Sequence, residues 1–312
     1  MLRSPASLLQ SWSLPTCWRY IQRRAVNISP ASIGATLLLG LWSLGYPGIA
    51  RSQVKFAPYQ LSAVSSAPVR TTLGDTLPWV SFDLRVTPNT ARSLTLWASY
   101  YNMRLARQVP NGYALLDPAG EQLGPKLSHE DWCHAAMQGS VQVLENGQPQ
   151  TYGYAGLGPG AQVNCATFFP GLPANILGGT NRVRFARREG PYGYGFHPFR
   201  VVPYRTIAVD RRLIPIGSVL FIPEARGQAI TLPSGYQAVH DGFFFAADTG
   251  GAVQGNHIDV FVGNAEHNPF AFVKSTPSGT FRAYVLQDAP IASRRQRRIA
   301  QALDALHRRV TN

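Results

Sequence analysis

Three aspartates, Asp210, Asp248 and Asp259, each stand at the edge of a β-rich run or inside one, beside glycine or a polar neighbour. Two of them fall in His240–Gly263 (HDGFFFAADTGGAVQGNHIDVFVG), 11 positions apart, with the glycine-rich link Gly250-Gly251 and Gly255 between them. A carboxylate at a strand end or within a strand is costly to bury unless it is paired or hydrogen-bonded, so two on a chain that can fold back on itself suggest a site. In HIDVFV, strand alternation points Ile258, Val260 and Val262 one way and His257, Asp259 and Phe261 the other. An aromatic neighbour and partial burial raise a carboxyl pKa and keep it protonated near neutral pH, as a general acid requires. Asp248, beside Thr249 and the glycines, is expected to accept backbone N–H bonds and stay ionised. Asp210 reads either as part of the site or as a turn cap. Substrate contacts are expected from His257, Thr249, Tyr100 and Tyr101.

The same residues allow two other chemistries. Asp248-Thr249-Gly250 has the form of the aspartic-protease tripeptide, but that reaction needs two such loops sharing a proton, and this chain has one. His240, Asp241, His257 and Asp259 could be metal ligands, yet nothing completes a set with familiar spacing, so no metal is expected.

Strands must position these groups. Gly 29 and Pro 24 punctuate the chain into short strands and many turns, and no dinucleotide fingerprint is present. Strands are expected at Trp79–Val86, Ser93–Asn102 (SLTLWASYYN), Thr206–Val209, Ser218–Ile222, Gln237–His240, Phe243–Ala247, Ile258–Val262 and Phe281–Leu286. The Ser93–Asn102 strand has bulky groups on both faces, which fits a small closed barrel. Ser128 reads as the N-cap of a short helix over Asp131 to about Met137. Ser140–Leu144 and Thr151–Gly156 read as a hairpin around Asn146-Gly147. Arg182–Phe199 interleaves arginine with aromatics, either to stack on sugar rings or bases or as an ordinary Gly/Tyr loop.

The formal charge of +13 is concentrated at the ends: five arginines and no acid lie in residues 1–51, and six arginines against Asp304 lie in Arg294–Arg309. The body is only mildly basic, so no nucleic-acid partner is expected. The apolar run Ile33–Leu44 followed by Gly48-Ile49-Ala50 reads as a signal peptide over residues 1–50, with an uncleaved anchor as the alternative. The protein is thus expected to be exported, to the periplasm or an outer-membrane or wall-associated place. Residues 51–78 read as a linker. Cys133 and Cys165, an even pair in an exported chain, suggest one disulfide; two buried thiols are the alternative. The tail, 287–312, carries a stripe of Ile299, Leu303, Leu306 and Val310. It reads as an amphipathic helix on a membrane or wall surface, or as a frayed solvated end, the slightly preferred reading.

The segments YRTIAVDRRLIPIGSVLFIP and FFFAADTGGAVQGNHIDVFVG resemble the three-aspartate (3D) domain, the carboxyl-terminal part of membrane-bound lytic transglycosylase A and related exported proteins. The resemblance covers roughly Tyr204–Gly263, with TLWASYYN and DWCHAAMQG similar to amino-terminal parts of such proteins. It implies a mainly β fold with few helices, a six-stranded double-psi β-barrel over 79–286 with an insertion at about 103–202. It also implies cleavage, without water, of the β-1,4 bond between N-acetylmuramic acid and N-acetylglucosamine in peptidoglycan glycan strands. The residue matching Asp259 would be the single acid/base, with those matching Asp210 and Asp248 in support, and no cofactor is implied. Two departures stand out: this chain has no lipobox, and only about 100 residues, Met103–Val202, lie between the matching parts where the family enzyme has a large second domain. A non-catalytic polysaccharide-binding barrel is the alternative.

Overall fold

The computed structural model describes residues 79–84, 91–286 and 294–308. The expected signal peptide and linker, and the tail residues 287–293 and 309–312, lie outside the described residues.

In chain order the elements are β1 (Arg92–Tyr101), β2 (Arg104–Arg107), β3 (Tyr113–Leu116), β4 (Gln122–Leu127), α1 (His129–Gln138), β5 (Ser140–Glu145), β6 (Gln148–Leu157), α2 (Ala174–Thr180), β7 (Val183–Arg188), β8 (Thr206–Val209), β9 (Val219–Phe221), β10 (Ala229–Thr231), β11 (Gln237–Val239), β12 (Phe243–Asp248), β13 (His257–Phe261), β14 (Thr280–Val285) and α3 (Arg294–His307). Six strands close a barrel in the order β1-β13-β8-β12-β9-β14. The pairs β1/β13 and β8/β12 are parallel and the other four are antiparallel. The fold is mainly β, as expected, with a closed six-stranded barrel and three α-helices among the described residues.

Strand alternation fills the barrel. Leu96, Ile207, Leu220, Phe244, Ile258 and Val285 are all fully buried in one core cluster. The outer face is covered as well. On one side Ile299 and Leu303 of α3 pack against Phe245, Tyr284 and Leu286. Ile299, Leu303 and Leu306 of the apolar stripe are therefore spent on the barrel, so α3 is not the frayed solvated end that was the preferred expectation. His307 finishes the helix buried, with Nε2 3.1 Å from the Thr206 hydroxyl and its ring stacked on Phe245. No helix among the described residues is long and apolar enough to cross a membrane.

Between β1 and β8 the chain builds a second sheet, β2-β5-β6-β7, with α1 packed on it. Trp132, Val141, Tyr152 and Phe185 form its separate core. Ser128 caps α1 by accepting from the Asp131 N–H at 3.1 Å, and Gly139 closes it in the left-handed conformation. Asn146 and Gly147 both take positive φ, the geometry that a two-residue hairpin turn demands between β5 and β6. A disulfide joins Cys133 on α1 to Cys165.

One strand expectation fails. Residues 79–84 of the expected Trp79–Val86 strand make no ladder. They form a strap pinned by a buried ion pair: Arg205 donates to Asp241 at 2.5 and 2.8 Å and to the Val80 carbonyl at 2.6 Å, while the Phe82 N–H donates to Asp241 at 2.8 Å. The guanidinium lies 3.8 Å from the Trp79 ring. Apolar alternation without a free sheet edge to join gives an extended strap, not a strand. The Gln237–His240 strand exists as β11, but it pairs with β10 outside the barrel.

Candidate active site

One row of residues crosses four barrel strands. Ser99 on β1 is the register partner of Asp259 on β13, Asp259 of Ala208 on β8, and Ala208 of Asp248 on β12. Alternation places all four on the barrel's outer face, opposite the core. Adjacent strands lie about 4.8 Å apart, so the two aspartate backbones are separated by roughly 10 Å with only a methyl group between them.

Asp259 is 8% exposed. Burial raises its carboxyl pKa to about 7; a hydrogen bond from Ser99 opposes the shift, and the charge of Asp248 adds to it. The Ser99 hydroxyl lies 2.9 Å from Asp259 Oδ1 and 2.7 Å from His257 Nε2. The His257 ring stacks flat on Trp97, with centroids 3.6 Å apart, and its Nδ1 is 3.3 Å from the Ala252 carbonyl. Burial lowers the His257 pKa to about 4, so the imidazole is neutral near pH 7.

Asp248 reaches the outer face through a β-bulge. Ala246 pairs with Ile207 and points into the core, and simple alternation would send Asp248 the same way. The register shift between Ala246 and Asp248 re-aims it to the side of Ala208 and Asp259. The Tyr101 hydroxyl donates to Asp248 Oδ2 at 2.7 Å and the Thr249 N–H to Oδ1 at 2.8 Å. Burial nevertheless raises its pKa to about 6, against both hydrogen bonds. Two donors do not offset the loss of water around the carboxylate, which still ionises below pH 7. Gly195 presses against this carboxyl, since a Cβ there would meet the Ala247 carbonyl oxygen at 2.5 Å and Asp248 Cβ at 2.9 Å.

Asp210 does another job. It accepts from Arg212 Nε at 2.9 Å and Nη2 at 2.7 Å, and from the Gly255 N–H at 2.8 Å. The Arg212 hydrogen bonds, followed by the Gly255 N–H, hold its carboxyl well below the usual range. It ties the glycine link two residues before β13 begins, and so sets where His257 and Asp259 enter the sheet.

The remaining expected contacts divide. Tyr101 lies on the site's face, beside Phe261 at 5.0 Å. Tyr100 lies on the opposite face of β1, packed against the barrel core with its hydroxyl 3.3 Å from the Glu266 carbonyl, and does not reach the site. Thr249 is exposed next to Asp248. His240 and Asp241 precede β12 at the end away from Asp248, so they do not join His257 and Asp259. Among the described residues no group of three or more His, Cys, Asp or Glu could hold a metal. A third of the Arg182–Phe199 stretch is β7, and Phe185, Tyr192 and Phe199 are core residues. Phe196 stays at the surface, 37% exposed, its N–H bonded at 2.8 Å to the Ala247 carbonyl next to Asp248. Ser99 and Trp97 were not singled out from the sequence. Nothing local marks them, because their role arises from the parallel pairing of β1 with β13.

The arrangement offers a carboxyl protonated near neutrality, a second one titrating just below it, a neutral imidazole and aromatic walls. That set suits proton transfer to and from oxygen.

Residues 205–269 match the family profile of the 3D domain. No curated protein sequence matches the chain. Among solved structures, the chain is similar to Escherichia coli MltA with bound chitohexaose (17% identity, TM-score 0.42, covering 63% of this chain and 72% of that one). It is similar to a membrane-bound lytic murein transglycosylase from Agrobacterium tumefaciens (14% identity, TM-score 0.38, 67% and 76%). A third is the lytic transglycosylase LtgG of Burkholderia pseudomallei (20% identity, TM-score 0.33, 62% and 71%). The stretch that matches the 3D domain contains Asp210, Asp248 and Asp259.

Proposed function

We propose that this protein is an exported lytic transglycosylase that cleaves MurNAc–GlcNAc β-1,4 bonds in peptidoglycan with Asp259 as general acid/base. The observation that carries the reading is the place of Asp259: a buried carboxyl on the outer face of a barrel strand, hydrogen-bonded to Ser99, in the stretch that matches the 3D domain. Burial raises its pKa to about 7. Such a group is substantially protonated at neutral pH and can give that proton to the glycosidic oxygen as the C1–O bond breaks. The resulting carboxylate then takes the proton of the muramoyl C6 hydroxyl while its oxygen bonds to C1. That closes a 1,6-anhydro ring and restores the acid. No water enters, unlike two-carboxylate hydrolysis.

Asp248, with pKa about 6, is largely ionised at neutral pH and supplies negative charge on the same face, where positive charge develops at C1. Tyr101 holds it in place. Asp210 positions the link, and Thr249 and Phe196 border the site as glycan contacts. The reading includes the double-psi winding of the barrel, export by a signal peptide at residues 1–50, and action in the periplasm or at the wall.

Digestion of purified peptidoglycan followed by mass spectrometry tests it. Wild type should release 1,6-anhydromuramic ends, and Asp259→Asn should release none. Glycan binding by wild type without such products would overturn the reading and leave a polysaccharide-binding barrel.

A further inference from the structure

The Ser99 hydroxyl has two partners and one proton. It lies 2.7 Å from His257 Nε2 and 2.9 Å from Asp259 Oδ1, all three groups being buried. Its own acceptor lone pairs do not change the count, since a serine can donate only once. The state of His257 is fixed from its other side. The Ala252 carbonyl can only accept, so the 3.3 Å contact requires the proton on Nδ1. A neutral imidazole protonated there leaves Nε2 as a bare acceptor aimed at Ser99.

We infer that Ser99 is a positioning residue whose hydroxyl donates to His257 Nε2 while Asp259 is protonated and turns to Asp259 Oδ1 when the carboxylate forms. The inference rests on the reading of Asp259 as the acid/base. The hydroxyl rotates about its own Cβ–Oγ bond, so charge at Asp259 is answered without any heavy atom moving. His257 competes for that proton and thereby favours the acid form. The other groups facing Asp259 cannot take this role. Asp248 lies beyond Ala208 and is held by Tyr101 and the Thr249 N–H. Asp210 is occupied by Arg212 and the Gly255 N–H.

The test is a carboxyl 13C titration of Asp259 in the full chain, which needs no substrate. His257→Phe keeps a ring against Trp97 but removes the competing acceptor. It should lower the Asp259 midpoint by about one pH unit, a tenfold change in its acid–base equilibrium. In a Ser99→Ala background the same substitution should change nothing further. An unchanged midpoint in His257→Phe, or an equal shift without Ser99, would overturn the relay.

Imidazole 15N shifts of the unsubstituted protein give a second reading that no folding defect can spoil. Nδ1 should stay protonated while the Nε2 resonance moves with the Asp259 midpoint. Protonation of Nε2 in place of Nδ1 throughout would overturn the inference. Because the titration is independent of turnover, it stands or falls separately from the cleavage assay. Anhydro products absent with the relay present would sink the proposed reaction alone.

Discussion

Asp248 and Asp259 face the same side of the barrel from strands that are not neighbours, with Ala208 between them in register. Their charges are coupled across that methyl group, and the carboxylate of Asp248 adds to the burial that keeps Asp259 protonated. Asp248→Asn removes that charge. The Asp259 midpoint should fall below about 7, and the alkaline limb of the cleavage pH profile should move to lower pH. An alkaline limb that stays put would mean the two carboxyls do not interact.

Stability should carry the same signature. Both carboxyls have folded-state pKa values, about 7 and about 6, above the ordinary 3.8. Their stabilising effect is full below pH 3.8 and is lost as pH rises through 6 to 7. The buried histidines act in the opposite sense. His240 and His307, lowered by burial to about 3, and His134 and His257, to about 4, cost stability as pH falls below 6.5. The carboxyl contribution is therefore best read as a difference between proteins. Asp259→Asn should be more stable than wild type at about pH 8, by roughly 2–4 kcal/mol, and lose that advantage near pH 4. Denaturant unfolding at the two pH values decides it, and a pH-independent difference would contradict the assignment.

How much of this was readable beforehand differs from residue to residue. The face of Asp259 followed from the alternation of HIDVFV, because both periods, side chain and strand, are local. The side of Asp248 did not, since a bulge inserts a residue and reverses parity, and nothing in FFFAAD announces it. Ser99 lies 160 residues from Asp259 and meets it only through parallel pairing. The stripe on α3 was visible, but amphipathicity says that a face is covered and not what covers it. Here the cover is Phe245, Tyr284 and Leu286.

Arg205 and Asp241 are both almost fully buried and anchor the strap at residues 79–84. Removing one partner leaves an uncompensated charge, so Asp241→Asn should cost about 3–5 kcal/mol in equilibrium unfolding. It should also speed amide exchange at Phe82. A loss under about 1 kcal/mol would show that the pair is dispensable.

Gly195 tests how tightly Asp248 is placed. Ala at this position would force a methyl group to within 3 Å of the Ala247 carbonyl and Asp248 Cβ. Gly195→Ala should keep the near-ultraviolet circular dichroism of the fold and lower the cleavage rate on the order of 100-fold, as a misplaced catalytic group does. Unchanged cleavage would show that Asp248 has no fixed task.

The central claim is that Asp259 alone serves as acid and then base, with a sugar hydroxyl in the place of water. Digestion of purified glycan strands in 18O-labelled water, read by product mass, tests it most directly. The account predicts anhydro ends with no 18O from wild type and no products from Asp259→Asn. Incorporation of one 18O atom per cleaved bond, or undiminished cleavage by Asp259→Asn, would contradict it.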